Sequence, residues 1–385
     1  MRARRRTDRR GGAGVRDISR ETVVHRLPMA GPGDVSALRA LFDTGTLDPA
    51  HVVAVIGKTE GNGGVNDFTR GYFTQSLMLL LGERLGLTLD EAMARVPCVL
   101  SGGTEGVLSP HFIVIVRQPA EVAEDRPALA VGVAFAGEVP PESVGRIAQV
   151  TDTEAAVAAA MADAGLSADE VVFVQVKAPG LTSSRITEAH RRGAVVAVTD
   201  TNRAMALSRS ASALGAALAL SDVPRAAVTD AAIGHDMALF SARVSVSSGI
   251  EITRTEVIVF GHSARWSGPL RIACRPMEDA LDVGAVHDVL DELGLPSQPA
   301  LLSNPRERVR AVFVKGMPDP AGTVRGCRHT MLDDTDIHAQ RHIRAALGGV
   351  VGAVLGDGRL FVSGGAEHQG PDGGGLIAII AETGQ

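Results

Sequence analysis

The hydrophobic pattern of the chain repeats itself. Three runs of apolar, mostly β-branched residues each end in a lysine, and each follows a helical pattern and a short loop. Gly165 and Gly294 follow two of these helical patterns and predict where the helices end. The predicted strands are 52–58, 171–177 and 309–315, ending at Lys58, Lys177 and Lys315, and the helices before them are 34–42, 154–164 and 283–293.

A second pattern also occurs three times. An apolar β-run ends in the sequence Ser–small–Gly–x–Glu, and a further β-run follows it. A repeat of roughly 115 to 145 residues is far longer than a solenoid unit and is the size of a small domain. The motifs are 99–105, 244–251 and 361–367, which carry Ser101, Ser247 and Ser363, and the runs after them are 111–116, 256–260 and 376–380.

Between its lysine and its serine, each copy contains a mostly apolar helix with an arginine near its start. The order helix, strand, helix, strand, strand predicts an α+β fold of three structurally similar units, each a sheet covered by helices. The arginines are Arg70, Arg209 and either Arg341 or Arg344; the predicted units are 19–120, 128–265 and 271–385, after a basic disordered tail at 1–18, with boundaries near 121–127 and 264–270.

The composition narrows the class of partner. The 385 residues are 45% hydrophobic, which predicts globular domains, and the net charge of −6 with 3% aromatic residues disfavours nucleic-acid binding. No apolar stretch is long enough to predict a membrane span. The three cysteines lie far apart, which disfavours disulfides and cysteine-rich zinc sites and indicates a reducing cytoplasm. We therefore expect a small-molecule partner.

Lysine and serine at repeated strand ends point to one shared site. Duplication without a shared site is the alternative, but packing gives no reason to keep these two residue types there, and lysine is seldom buried without a role. A neutral lysine activates a serine hydroxyl, and burial with nearby cations favours the neutral amine. Three similar sets suit a flat, nearly threefold ligand such as a cyclic imide or a triazine-trione.

Four stretches carry a resemblance to a known family. Segments 57–70, 101–111, 173–177 and 363–371 resemble the cyanuric acid hydrolase and barbiturase family of ring-opening cyclic amidohydrolases. The resemblance covers the chain after the basic tail. It implies three similar units around a pseudo-threefold axis, an active site at the centre, hydrolysis of one amide bond of the ring, and a homotetramer.

The resemblance also implies roles for particular residues. Ser247 is the expected nucleophile and Lys177 its general base, and Ser248 is the alternative nucleophile, although the repeat aligns Ser247 with the other serines. For the third arginine, spacing from Ser363 favours Arg344 over Arg341. The expected substrate-binding residues are Lys58, Arg70, Ser101, Gly102, Arg209, Ser248, Lys315, Arg344, Ser363 and Gly364.

A divalent metal site also follows from the resemblance. The family holds Mg²⁺ or Ca²⁺ with a loop after the third serine and a glutamate after the third lysine, where this chain has Met317. A thioether is a poor ligand for hard cations, so we expect a weak or absent structural metal and no cofactor for the chemistry. The matching loop residues are Ala366, Gln369, Gly370, Pro371 and Gly374.

The expected reaction is ring opening of cyanuric acid to carboxybiuret, which loses CO2 to give biuret. Barbiturate, opened to ureidomalonate, is the alternative substrate, and a non-catalytic binding protein is a further alternative. A Ser-His-Asp hydrolase is disfavoured because segment 261–265 lacks the final glycine of a nucleophile elbow. Glu105, Glu251 and Glu367, which close the serine motifs, either pair with the lysines or cap loop N–H groups.

Overall fold

The computed structural model describes residues 19–120, 126–295, 305–332 and 337–383. The predicted tail at 1–18 and most of the predicted boundary at 121–127 lie outside these residues. The boundaries of the three units therefore stay predictions. Within the described segments, no helix is both long and apolar enough to cross a membrane.

The elements follow one order three times. The first set is β1 (Ser19–Pro28), α1 (Ser36–Asp43), β2 (Val52–Thr59), α2 (Phe68–Leu85), α3 (Leu89–Arg95), β3 (Cys98–Gly102) and β4 (His111–Ala120). The second is β5 (Ala128–Glu138), α4 (Ile147–Ala164), β6 (Val171–Pro179), α5 (Ser183–Arg191), α6 (Thr201–Ala219), β7 (Val244–Gly249), β8 (Arg254–Ser263) and the short β9 (Trp266–Ser267). The third is β10 (Leu270–Met277), α7 (Val283–Glu292), α8 (Pro305–Arg308), β11 (Val309–Gly316), β12 (Thr323–Val324), β13 (Cys327–Arg328), α9 (Ala339–Leu355), β14 (Phe361–Gly364) and β15 (Gly375–Glu382).

Three mixed sheets share one strand arrangement. In each, the lysine strand lies between the parallel serine strand and the antiparallel last strand, and the opening strand pairs with the last one. The fold is therefore α+β with three similar units, as predicted. The strand orders are β3-β2-β4-β1, β7-β6-β8-β5 and β14-β11-β15-β10, and β9 adds to β1 in the first sheet.

The opening strands β1, β5 and β10 are missing from the sequence prediction, which began each unit with a helix. Strand β1 is rich in charged and polar residues, and only part of it is buried. Strand β5 is rich in alanine and glycine, which have low strand propensity. Both strands take their conformation from pairing with the last strand of the unit, which local sequence does not reveal.

The end of α4 and the start of α6 show how capping residues set the bounds of a helix. Helix α4 stops at Gly165, which adopts the left-handed conformation with φ of 69°, as predicted. The start of α6 was predicted wrongly, because the helix begins at Thr201, where Asp200 accepts a bond from the Arg203 N–H, and Arg209 lies in its middle. The three consecutive polar residues at 201–203 made the first turn of the helix resemble a loop.

The units meet through an aromatic cluster in the main core. Phe173 of β6 stacks on Phe313 of β11 with ring centroids 5.3 Å apart, and Phe313 meets Phe361 of β14 at 6.1 Å. All three rings are fully buried. Aromatic contact thus joins the second and third sheets directly behind the strand ends that carry the lysines and serines.

Helix α6 packs closely against α4 through small residues. Gly215 lies where an added Cβ would come within 2.3 Å of the Val150 carbonyl oxygen and 2.9 Å of the Thr153 Cβ. Backbone cannot give way cheaply at such a contact. The glycine is therefore required by the distance between the two helices.

We predict opposite effects for two helix-interior glycines. Gly215→Ala lowers the free energy of unfolding by about 1–3 kcal/mol, because the methyl group overpacks against α4. Gly349→Ala in α9, where nothing lies within 4 Å of the added carbon, stabilises by about 0.5–1 kcal/mol through helix propensity. Thermal and urea unfolding measure both changes. Equal destabilisation by both variants would contradict the packing argument.

Candidate active site

The three lysine–serine pairs lie in one register. Strand pairing places Lys58 beside Ser101, and the same alignment recurs in the other two sheets. Neighbouring residues of paired strands extend to the same face of a sheet, so the lysine and serine side chains of each pair share a face. All six side chains are buried. The other two pairs are Lys177 beside Ser247 and Lys315 beside Ser363.

The lysines also connect the units in a closed ring. Each amine donates to the carbonyl oxygen of the residue just before a serine, and that serine belongs to another unit. The three strand ends therefore meet around one axis with threefold pseudosymmetry. The bonds run from Lys58 to Val362 (2.5 Å), from Lys177 to Leu100 (2.7 Å) and from Lys315 to Val246 (2.6 Å).

A second ring is formed by arginines and glutamates. Each helix arginine pairs with the glutamate that closes the serine motif of a different unit, so these glutamates hold arginines rather than only capping loops. The pairs are Arg70 with Glu251 (2.9 Å), Arg209 with Glu367 (2.7 Å) and Arg344 with Glu105 (2.5 Å). Arg344 is 3% exposed, whereas Arg341 is 40% exposed and 3.8 Å from Glu105. The structure thus brings Arg344 into this ring.

The predicted residues line one cavity or lie directly beneath it. Its lining contains the three serines, the three ring arginines, Gly102, Ser248 and Gly364, with the lysines beneath. It opens into a vestibule of about 230 Å³. Gly63, Leu100, Met205 and Gln340 also line it and were not predicted. Met205 in α6 and Gln340 in α9 each lie four residues before a ring arginine, a spacing that shares a helix face and would have been a usable signal for these two.

The amines of Lys58 and Lys315 are held toward the neutral state. Burial lowers the pKa of both side chains well below the usual value, and Arg344 beside Lys58 and Arg209 beside Lys315 lower it further. Each of these two lysines donates to its own serine, at 3.2 Å to Ser101 and 3.1 Å to Ser363.

Lys177 differs from the other two lysines. Burial lowers its pKa, but Glu251, whose Oε1 lies 2.5 Å from Nζ, opposes that change. Burial alone would raise the pKa of Glu251, yet Lys177 and Arg70 outweigh it and bring the value to about 2. The ion pair turns the amine away from Ser247, whose hydroxyl instead lies 3.1 Å from that of Ser363.

The two adjacent serines have different surroundings. Ser248 donates to the Met205 carbonyl oxygen at 3.0 Å and receives a bond from Arg209 at 3.4 Å. Its hydroxyl is therefore occupied by helix α6. Ser247 lies in register with Lys177. Among the described residues, its hydroxyl has one hydrogen-bond partner, the hydroxyl of Ser363. The geometry favours Ser247 as the reactive group.

Comparison with known proteins decides the family. The sequence profile of the family described as amidohydrolase ring-opening protein matches residues 23–382. The chain belongs to this family. It is a hydrolase that acts on cyclic amides.

Relatives of this amidohydrolase agree along nearly their whole length. The cyanuric acid amidohydrolase of Azorhizobium caulinodans is 49% identical over 93% of this chain and 97% of its own, and that of Ectopseudomonas oleovorans is 48% identical over 94% and 100%. A solved cyanuric acid hydrolase, described as an innovation by structural concatenation, superposes with a TM-score of 0.90 at 45% identity, covering 94% of this chain and all of its own. The A. caulinodans structure gives 0.88 at 48% identity, over 95% of this chain and all of its own.

The five loop residues expected to hold a metal offer no charged ligand atom. Gln369 uses its amide oxygen to accept from the Val246 N–H at 2.6 Å, and the Gly374 carbonyl accepts from the Met317 N–H at 3.0 Å. Across the described part of the chain, no group of three or more His, Cys, Asp or Glu side chains is placed to hold an ion. Without a carboxylate, these carbonyl oxygens and the Met317 thioether do not fit Mg²⁺ or Ca²⁺.

A gain-of-site variant tests this conclusion. Met317→Glu supplies a carboxylate at the one position where the family expects it, so we predict that Ca²⁺ or Mg²⁺ raises the melting temperature of this variant only. Wild type and the uncharged Met317→Gln variant keep one melting temperature with either cation or with chelator. A chelator-induced loss of wild-type stability would show that the loop binds metal without the glutamate.

We expect Glu251 to stabilise the fold above mildly acidic pH. Its folded pKa of about 2 lies below its usual 4.5, so its contribution is complete above pH 4.5 and is lost as the pH falls toward 2. Glu251→Gln removes the carboxylate paired with Lys177 and one of the two carboxylates paired with Arg70, the other being Asp67, which costs about 3 kcal/mol at neutral pH, the low end for breaking a buried pair.

Urea unfolding of wild type and Glu251→Gln between pH 7 and pH 3 measures this difference, which should narrow as the pH falls. Glu83→Gln is the control, because Glu83 and Arg39 form an exposed pair that water and salt screen. A difference that stays constant with pH would mean that the ion pair does not carry the effect.

Proposed function

We propose that this amidohydrolase opens the ring of cyanuric acid by hydrolysis, giving carboxybiuret, which loses CO2 to biuret. Relatives with 45–49% identity bear the name cyanuric acid amidohydrolase, which supports this substrate. The family profile spans residues 23–382, the part of the chain that contains the lysine, serine and arginine motifs.

One observation carries the proposal. Three lysine–serine pairs in identical register, with three arginines, surround one small cavity. Cyanuric acid is a flat ring with three carbonyl and three N–H groups in alternation. Each unit therefore offers a hydroxyl and a guanidinium to one edge of the ring, which carries one carbonyl and one N–H group.

We assign the covalent step to Ser247. Neutral Lys177 takes the hydroxyl proton of Ser247, and the oxygen attacks a ring carbonyl carbon. The carbon–nitrogen bond then breaks, and the ring nitrogen leaves with a proton. Water attacks the carbamate ester that remains on Ser247 and releases carboxybiuret, and the serine regains its proton.

The other two units polarise the ring. Lys58 with Ser101 and Lys315 with Ser363 bind the remaining carbonyl groups, and Arg70, Arg209 and Arg344 place positive charge at the cavity wall. Such fixed charge in a dry site stabilises oxyanion character as it develops. The backbone N–H groups of Gly102, Ser248 and Gly364 are further donors in this proposal.

Burial of the whole site supports acid–base chemistry by lysine. Lys177 loses its proton more easily than a solvated lysine because burial and Arg70 both lower its pKa. Glu251 has the opposite effect, so the proton balance at Lys177 is adjusted by its neighbours. The homotetramer implied by the resemblance and the cytoplasmic location indicated by the three separated cysteines stay predictions.

Substitution of the two adjacent serines tests the mechanism. We predict that Ser247→Ala lowers kcat by at least about 10³-fold while the enzyme still binds cyanuric acid, because only the nucleophile is lost. Ser248→Ala, the matched control, should retain kcat within about tenfold. Loss of ultraviolet absorbance measures turnover, calorimetry measures binding, and mass spectrometry of quenched reactions locates the acyl group.

Each alternative predicts a different result. Turnover of barbiturate without turnover of cyanuric acid would replace the substrate, and binding of either without turnover would indicate a binding protein. Loss of activity in Ser248→Ala with activity retained in Ser247→Ala would move the nucleophile to Ser248.

A further inference from the structure

The three lysines differ in the residue that faces them across the sheet. The last strand of each unit pairs antiparallel with the lysine strand, in the same register each time. Residues opposite each other in such a pair have Cβ atoms about 5 Å apart on one face. The partners are His111 opposite Lys58, Glu256 opposite Lys177 and Leu376 opposite Lys315. Of these three, only the partner of Lys177 is acidic.

Glu256 is a buried carboxyl group with one hydrogen-bond donor. Its residue is 5% exposed, and its Oε2 accepts from the Cys98 N–H at 2.8 Å. Cys98 opens strand β3, which carries Ser101, so this bond crosses from the second unit to the first. Burial raises the pKa of Glu256 to about 7, against the opposing effects of the Cys98 N–H and Arg254.

The charged groups around Glu256 come from several elements. Lys177 faces it from β6, Glu251 from the turn after β7, and Cys98 from β3. Arg254, on the same strand, donates to the Met93 carbonyl oxygen and lies over the Phe135 ring, so it is directed away from the site. Glu256 and Glu251 thus place two carboxyl groups near one buried amine.

We propose that Glu256 is a positioning residue that sets Lys177 apart from Lys58 and Lys315, because its carboxylate retains the proton on Lys177 and so fixes the pH range in which Lys177 acts as a base. This inference rests on the proposed function. Glu256 does not line the cavity, so it acts through Lys177 and not on the substrate.

The sign of the effect follows from charge. A negative group beside the amine favours its protonated form, so removal of that group lets Lys177 lose its proton at lower pH. In the pH profile of kcat/KM, the acidic limb reports the pKa of the base in the free enzyme. This limb should therefore move to lower pH. The effect should fade below about pH 7, where the wild-type Glu256 carboxyl is itself protonated.

Glu256→Gln is the decisive variant, because the amide oxygen still accepts from the Cys98 N–H while the charge is gone. We expect the acidic limb to move down by about one pH unit, which is the low end of the pKa shift that one nearby charge causes. Glu256→Leu, which copies the residue opposite Lys315, should give the same shift with lower thermal stability. His111→Leu, at the matching position opposite Lys58, should leave the limb in place.

Titration of the Lys177 amine by NMR in labelled protein, assigned with Lys177→Met, separates this inference from the proposed function. Its midpoint should fall in Glu256→Gln whether or not cyanuric acid is the substrate. An unchanged midpoint and limb in both Glu256 variants would overturn the inference and leave the proposed function standing. An equal shift in His111→Leu would also overturn it, because the effect would not be specific to Lys177.

Discussion

Burial of three lysine amines at the meeting point of three sheets is the constraint on which this structure depends. A charged amine in a protein interior is costly unless it is paired or neutral. Each amine reaches a backbone carbonyl of a neighbouring unit, so each has one short hydrogen bond that its own sheet does not supply. The three units must therefore assemble for the site to exist, and the site in turn holds the units together.

The arginine–glutamate ring extends the same principle outward. Each pair joins two units, and the three pairs together form a ring around the axis in which every arginine has a glutamate partner. Loss of one residue of a pair would leave its buried partner without that opposite charge, which costs more than the pair contributes. Exchange of one unit by an unrelated domain would thus break two charge pairs as well as two lysine–carbonyl bonds.

Sequence repeats predicted the fold class and which lysines, serines and arginines come together, but not every element around them. Lysine and serine at strand ends leave a strong pattern because they recur at the same place in all three copies. The opening strand β1 and the first turns of α6 left none, since pairing partners and a distant cap decide their conformation. Gln340 was missed for a similar reason: helix geometry, and not a motif, brings it into the cavity.

In a site built from three similar units, one unit must differ from the other two if only one serine is to react. The three units can differ in the side chains at equivalent positions. Such a difference changes one unit and leaves the register of its strands intact. After the serine, two units have glycine and the second has Ser248; opposite the lysine, the three have histidine, glutamate and leucine. The hydrogen bonds differ as well, because Lys177 pairs with Glu251 while the other two lysines bond their serines. In the proposed mechanism, symmetry supplies recognition of a nearly threefold ring, and these local departures from symmetry select the reacting edge.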